Sequence, residues 1–251
     1  MGNARELKRL LVRSEQWRQQ HGAQFEKSKY VLIHFTRNPS AKVEASVTIG
    51  GTRIQPSSEA KYLGVTFDQK LKFRSHVEQV VAKVTKYTLA IAGIAKSRWG
   101  PEFKYLRRLF TAVAAPRIDY AAIIWHRPGD TQTAPTTSQL QALSSVQGRI
   151  MRAITGCSCT TVITAMEYET ALISPKWWLI NKNLETATRM ITTAYNHLIQ
   201  TWITQATRHG GPSYMSNLGN LIKRYPEYIH RWIRPQWAHW SSYILAYNHC
   251  H

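Results

Sequence analysis

Acidic residues are scarce in this 251-residue chain, and paired carboxylates are scarcer still. It has 14 Asp and Glu against 33 Lys and Arg, a formal net charge of +19. The aspartates are Asp68, Asp119 and Asp130, and no two of them are adjacent. Catalysis by paired metal ions needs several converging carboxylates. The sequence therefore predicts no catalytic residues of this kind, no metal site and no cofactor.

Long apolar runs and a regular set of cysteines are also missing. No stretch of about 18 apolar residues predicts a transmembrane helix, and the first residues, Met-Gly-Asn-Ala-Arg-Glu-Leu-Lys, lack the apolar core of a signal peptide. The three cysteines are an odd number, which favours free thiols in a reducing compartment. We therefore expect an intracellular protein, nuclear or cytoplasmic, with no membrane partner.

The excess of positive charge is the strongest compositional signal. A field of this sign attracts polyanions, and nucleic acid is the commonest polyanionic partner of a basic domain. The alternatives are a generic basic surface or an affinity for an acidic membrane face. Hydrophobic residues make up 43% of the chain, which is enough for a folded core and argues against a disordered tail.

The hydrophobic period changes near residue 70 and divides the chain into a strand-rich and a helix-rich part. Tyr30–Phe35 reads as a buried strand, and Val43–Ile54 as a hairpin around Gly50-Gly51. From Phe73 onward the period is that of an amphipathic helix. Its predicted apolar stripe is Val77, Val80, Val81, Val84, Tyr87, Leu89 and Ile91. The predicted fold class is α+β, a small antiparallel sheet followed by a mainly α-helical remainder.

Short sequence blocks follow one another in a characteristic order along the chain. They are Trp17-x-x-x-His21-Gly22, Phe25-x-x-x-Lys29-Tyr30-x-Leu32-Ile33-His34-Phe35, Tyr62-Leu63-Gly64-Val65, Phe73-x-x-His76-Val77, Arg107-Arg108-Leu109-Phe110, Pro116-x-x-x-Tyr120 and Ile233-x-Pro235-x-Trp237. In this order they resemble the end of the palm, the thumb and the connection of reverse transcriptases from fungal non-LTR (LINE-like) retrotransposons. The order gives the resemblance its specificity, because any single block is weak.

The resemblance implies three parts. Residues 1–72 would be a palm remnant with a primer-grip-like hairpin, residues 73–175 a helical thumb, and residues 176–251 a helical connection and linker towards a missing RNase H domain. The primer-grip-like residues would be Tyr62, Leu63, Gly64 and Val65. Gly64 would let the backbone approach the primer terminus; the alternative is a bulge glycine without a ligand.

The resemblance also implies roles for Lys29 and for a set of basic residues. Lys29 matches a lysine near the incoming triphosphate, which implies a vestigial leaving-group lysine; the alternative is a solvated lysine at a strand start. Basic residues at the start of the thumb helix would face the backbone of a nucleic-acid duplex, although a charged helix face is more often simply solvated. These residues are Lys70, Lys72, Arg74, Lys83 and Lys86.

The missing aspartates determine the expected activity. The chain is expected to begin downstream of the palm positions that hold the catalytic metal ions. We therefore expect a truncated retrotransposon reverse transcriptase that binds RNA or an RNA–DNA duplex and has no polymerase activity of its own. One alternative is a host-adopted basic interaction protein that kept the fold and binds a protein partner over the truncated palm face. Another is a polymerase assembled in trans with a chain that supplies the missing palm.

Overall fold

The computed structural model describes residues 2–36, 46–49, 51–95, 100–126 and 135–192. The chain divides into two compact units, Met1–Trp178 and Leu179–His251. The surfaces discussed below all lie in the first unit. The division into palm remnant, thumb and connection stays a prediction, and the block Ile233-x-Pro235-x-Trp237 lies outside the described residues.

The N-terminal helix α1 spans Gly2–Gln20. The chain leaves it through Gly22, whose φ of 61° is in the left-handed region that glycine adopts most readily. The apolar side chains of Leu10 and Trp17 remain 51% and 49% exposed. Helix α1 therefore contributes little to the buried core.

Three separate two-stranded sheets occur in the described part of the chain. The strands are β1 Leu32–Ile33, β2 Val47–Ile49, β3 Thr52–Ile54, β4 Pro56–Ser57, β5 Glu59–Tyr62 and β6 Val65–Asp68. Strands β2 and β3 form one antiparallel hairpin, and β5 and β6 form another. Strands β1 and β4 pair in parallel. The predicted small antiparallel sheet is therefore present as two hairpins, with a short parallel pair beside them.

Strand β1 is shorter than the predicted strand Tyr30–Phe35. Its residue Leu32 lies in register with Pro56, and Ile33 with Ser57. Because proline has no backbone N–H, it cannot donate a ladder hydrogen bond at that point. The parallel pairing is correspondingly limited to two residues of each strand.

Helix α2, Arg74–Ala95, is the central helix of the first unit and packs most extensively against α6, Thr137–Thr155. Its buried residues are His76, Val77, Val80, Val84, Thr88 and Ile91. The predicted helix is confirmed, but two members of its predicted apolar stripe are wrong: Tyr87 and Leu89 are 38% and 54% exposed. The steps of three and four residues from Val84 bring Thr88 and Ile91 to the buried side instead.

A widened helical turn joins α3, Phe103–Leu109, to α4, Ala115–Asp119. Over Phe110–Ala114 the helix is of the π type, and the amide of Ala115 donates to the carbonyl of Phe110, five residues earlier. Pro116 accounts for the widening, because its ring would clash with the carbonyl four residues before it in an α-helix, and it cannot donate there.

The remaining described helices complete the mainly helical part. Short helix α5 spans Ala122–Trp125, and α7 spans Ile163–Thr170. Helix α8 spans Pro175–Thr192. The fold class is α+β with helices dominant, as predicted. Among the described helices, none is both long enough and apolar enough to cross a membrane.

Candidate nucleic-acid interface

The four primer-grip-like residues form the tip of the β5–β6 hairpin. Tyr62 pairs with Val65, so Leu63 and Gly64 make a two-residue turn. Their φ angles are 45° and 84°, and positive values at both positions are typical of a type I′ turn. Tyr62 and Leu63 are 66% and 74% exposed, whereas Val65 is buried. The side chains of Tyr62 and Leu63 are therefore open to a ligand.

The space over Gly64 is filled by Tyr120, which directly follows α4. The Tyr120 hydroxyl donates to the carbonyl oxygen of Leu63 at 2.8 Å. A Cβ placed on Gly64 would lie 3.0 Å from Cε1 of the Tyr120 ring. The glycine therefore allows a close approach, but the group that approaches is a side chain of this protein. The primer-grip role of Gly64 stays a prediction.

Asp68 organises the loop that leads from β6 into α2. Its carboxylate accepts hydrogen bonds from the amides of Lys72 and Phe73 at 3.0 and 2.7 Å, and from Lys70 at 3.3 Å. These bonds hold a loop in which Leu71 and Phe73 adopt φ angles of 52° and 57°. One of the three aspartates is thus an acceptor for backbone amides.

The hairpin lies on the first turns of α2. The backbone amide of Thr66 donates to Nδ1 of His76, and the Thr66 hydroxyl donates to Oε1 of Gln79, both at 3.3 Å. Lys61 pairs directly with Thr66 across the hairpin. Directly paired residues project from the same face of a sheet. Exposed Lys61 therefore extends from the hairpin on the side that contacts α2.

Beyond Gln79 the same face of α2 is open to solvent and carries two lysines. Lys83 and Lys86 are both exposed, and residues three or four apart are neighbours on a helix surface. Arg74 lies nine positions before Lys83, which at about 100° per residue is the opposite side of the helix. Small exposed residues line the open face: Ala82, Ala90 and Gly93.

We call Lys61, Lys83 and Lys86 the basic strip. Among the described residues, none of these three ammonium groups has a carboxylate within salt-bridge distance. The other three predicted residues lie elsewhere: exposed Lys70 and half-buried Lys72 in the loop before α2, and Arg74 on the far side of the helix. The five predicted residues thus lie in three places, and their binding role stays a prediction.

The positive charges of the basic strip affect the buried side chain of His76. The pKa of His76 is lowered to about 4, first by burial and then by the positive charges of Lys83 and Lys61. Nδ1 of His76 accepts from the Thr66 amide, so the proton of the neutral ring is on Nε2. The ring meets Trp125 edge to face at 5.8 Å. Two lysines from different elements therefore act on one side chain.

The predicted leaving-group lysine does not join the basic strip through any described contact. Lys29 is exposed at the end of a short 3₁₀ turn, Lys27–Lys29, and its amide donates to the carbonyl of Glu26 at 3.2 Å. Its role as a leaving-group lysine stays a prediction.

The described residues contain no group of three or more His, Cys, Asp or Glu that could hold a metal ion. Asp68 accepts backbone amides, and Asp119 accepts from Nε1 of Trp178 at 3.2 Å. Asp130 lies outside the described residues. Where the structure describes them, the aspartates therefore stabilise the protein's own backbone and side chains.

Sequence reasoning missed two cationic residues of this region, one in the basic strip and one beside it. Lys61 could have been found from the hairpin register, because Lys61 and Thr66 are symmetric about the Leu63-Gly64 turn. The other is Arg117 on α4, whose guanidinium carbon lies 3.8 Å from the ring centroid of Tyr87. Nothing local in the sequence signals this contact, since it joins residues of two separate helices.

Comparison with known proteins gives distant similarity to proteins of mobile elements. The chain is 26% identical over 121 residues to a 115 kDa protein in the type-1 retrotransposable element R1DM of Drosophila melanogaster. It is 24% and 27% identical, over 154 and 103 residues, to proteins of the same species named as RNA-directed DNA polymerases from transposon BS and from the X-element. No family model and no solved structure matches.

These similarities cover part of this chain and a small part of each relative. They include 47%, 61% and 41% of the chain, but only 11%, 16% and 10% of the respective relatives. The chain thus spans well under a fifth of the length of these relatives. Within those limits, the chain contains a region similar to the RNA-directed DNA polymerases of retrotransposons.

Proposed function

We propose that this chain is a nucleic-acid-binding part of a protein derived from a retrotransposon reverse transcriptase. In this proposal the basic strip holds the sugar-phosphate backbone of an RNA or RNA–DNA duplex. Residues 73–175 act as the thumb and the β5–β6 hairpin as a primer-grip-like element. The fungal origin and the nuclear or cytoplasmic location remain parts of the proposal.

One observation carries this proposal. Lysines from two different elements converge on one open face with no carboxylate partner among the described residues. The charge of a lysine without a carboxylate partner can pair with an external anion. Contact of such a lysine with a phosphate releases counterions from the duplex. Such contacts position a duplex without reading its sequence. The similarity to RNA-directed DNA polymerases favours nucleic acid over other polyanions.

The proposal assigns no polymerisation to these 251 residues acting alone. Paired metal ions in phosphoryl transfer need converging carboxylates, and no two aspartates of this sequence are adjacent. We expect no extension of a primed RNA template by the purified chain with Mg²⁺ or Mn²⁺. Template-dependent extension above a control without protein would contradict this part of the proposal, and extension only after a second chain is added would favour assembly in trans.

The binding part of the proposal is tested with a charge-matched pair of triple variants. Lys61→Ala, Lys83→Ala and Lys86→Ala together remove the basic strip. Because each phosphate contact contributes about tenfold in affinity near 0.1 M salt, the loss should be about 100-fold or more. The measurement is the dissociation constant for an RNA–DNA duplex at fixed salt.

The control triple variant is Arg9→Ala, Lys104→Ala and Arg149→Ala, which removes the same charge from other exposed sites. It should bind within a few-fold of the parent. Equal losses in the two triple variants would mean that net charge alone attracts the duplex. No loss in either would favour the protein-binding alternative.

A further inference from the structure

Arg117 is held in a fixed position beside the basic strip. Its guanidinium stacks over the Tyr87 ring with 3.8 Å between the guanidinium carbon and the ring centroid, and Nη1 donates to the carbonyl oxygen of Val113. The side chain is half-buried, and among the described residues no carboxylate lies within salt-bridge distance of it. Within the described part of the chain, Arg117 is therefore a positioned cation without an anionic partner.

Because the Arg117 guanidinium stacks on Tyr87, it lies beside the basic strip. Tyr87 follows Lys83 by four residues, so the two side chains are neighbours on the surface of α2. Arg117 approaches the same part of α2 from α4, and these two helices pack against each other. The guanidinium thus lies about one helical turn along from the Lys83 side chain.

The chemistry of the guanidinium group suits a phosphodiester. It has five N–H donors in a planar fork that matches two oxygens of a phosphate. One nitrogen contacts the Val113 carbonyl, and donors remain on the others. Stacking on the ring restricts the side chain before any ligand binds, so less conformational entropy is lost when a phosphate is bound.

We infer that Arg117, stacked on Tyr87, is a pre-organised binding site for one phosphodiester of the nucleic-acid backbone. This inference rests on the proposed function, since the bound phosphate belongs to the duplex that the basic strip holds. The lysines contribute point charges, whereas Arg117 contributes a two-pronged contact whose direction is fixed. Arg117 would therefore set the direction of the nucleic-acid backbone across α2, whereas the lysines only attract it.

The decisive variant is Arg117→Lys in the full chain, measured against an RNA–DNA duplex. Lysine keeps the charge and the aliphatic stem but loses the planar fork. We expect the dissociation constant to rise about three- to tenfold at fixed salt, with the salt dependence of binding unchanged because the charge is kept. Arg117→Ala should lose at least as much affinity and flatten the slope by about one unit.

Variants of Tyr87 test whether stacking is what positions the guanidinium. Tyr87→Ala should weaken binding about two- to fivefold with no change in the salt slope, because the arginine charge remains. Tyr87→Phe keeps the aromatic face and should restore most of that loss. The matched control is Arg149→Lys, an exposed arginine on α6, which should bind like the parent.

The outcomes separate this inference from the proposed function. If Arg117→Lys binds like the parent while the Lys83 and Lys86 variants lose affinity, the basic strip is confirmed and the Arg117 site is overturned. If the Arg117 and Tyr87 variants lower the melting temperature but leave the dissociation constant unchanged, the stack only packs α4 on α2. If the parent does not bind the duplex, both proposals are wrong.

Discussion

Gly64 is the residue on which the local structure of the hairpin tip depends most. Two properties of glycine are needed there at once: a φ of 84° and the absence of a Cβ where the Tyr120 ring lies. The second property is specific to this site. Gly51, in the other hairpin turn, has a similar φ of 81° but nothing within 4 Å of an added Cβ.

We predict that Gly64→Ala destabilises the protein clearly more than Gly51→Ala. Both substitutions force alanine into the left-handed region at a cost of about 1–2 kcal/mol. Only Gly64→Ala also displaces the Tyr120 ring, which adds about 1 kcal/mol or more through lost contacts and the hydrogen bond to Leu63. Urea unfolding should show the difference as a lower midpoint with an unchanged slope.

A double variant checks the cause. With Tyr120→Ala already present, the additional cost of Gly64→Ala should fall to that of Gly51→Ala, because no ring remains to be displaced. If the cost of Gly64→Ala stays the same with and without the ring, the close contact does not contribute.

We also predict that the free energy of unfolding falls as the pH is lowered from about 6.5 to about 4. In the folded protein the pKa of His76 and of His126 is lowered to about 4, by burial in both and, for His76, also by the positive charges of Lys83 and Lys61. An unfolded histidine has a pKa near 6.5. The unfolded state therefore binds more protons in this window, and stability is lost as the pH falls. Urea unfolding at several pH values measures the effect.

The His76→Gln, His126→Gln double variant is the control for this pH dependence. It should show a shallower fall between about pH 6.5 and about pH 5, where fewer carboxylates titrate. An equal fall in parent and variant would assign the effect to other groups.

At the scale of elements, α2 organises both the core and the candidate site. One side of the helix packs on α6, and the opposite side carries the lysines of the basic strip. The β5–β6 hairpin covers the first turns, and α4 reaches the middle of the helix through Arg117. Damage to the core side should therefore unfold the protein, whereas changes on the open side should affect binding alone.

We predict opposite outcomes for two leucines of these elements. Leu143 on α6 is fully buried, so Leu143→Ala should cost about 2–5 kcal/mol through lost burial and a residual cavity. Leu89 on α2 is 54% exposed, so Leu89→Ala should change stability by no more than about 0.5 kcal/mol. Chemical denaturation measures both. A large cost for Leu89→Ala would mean that the predicted apolar stripe was right and that this face is covered.

The sequence predicted those elements whose signal is local. The period of α2 and the Gly50-Gly51 hairpin follow from neighbouring residues, and the structure confirms helix α2 and the pairing of strands β2 and β3. The contacts of Tyr120 with Gly64 and of Arg117 with Tyr87 join residues 56 and 30 positions apart, so no local pattern signals them. The choice of Thr88 over Tyr87 for the buried side depends on where α6 lies.

At the scale of the whole molecule, the charge of +19 provides a general attraction for nucleic acid. Charge alone does not distinguish a defined interface from diffuse association. In the proposed function the defined interface is the open face that holds the three lysines of the basic strip, with Arg117 beside them. The similarity to RNA-directed DNA polymerases is consistent with this use.

The most direct test of the account is the salt dependence of binding to an RNA–DNA duplex. The basic strip and Arg117 together predict that log K falls with log salt at a slope of about −3 or steeper. Lys61→Ala, Lys83→Ala and Lys86→Ala should each flatten the slope by about one unit, whereas Arg149→Ala should not. A slope near zero, or strip variants with the parent's slope, would contradict the central claim.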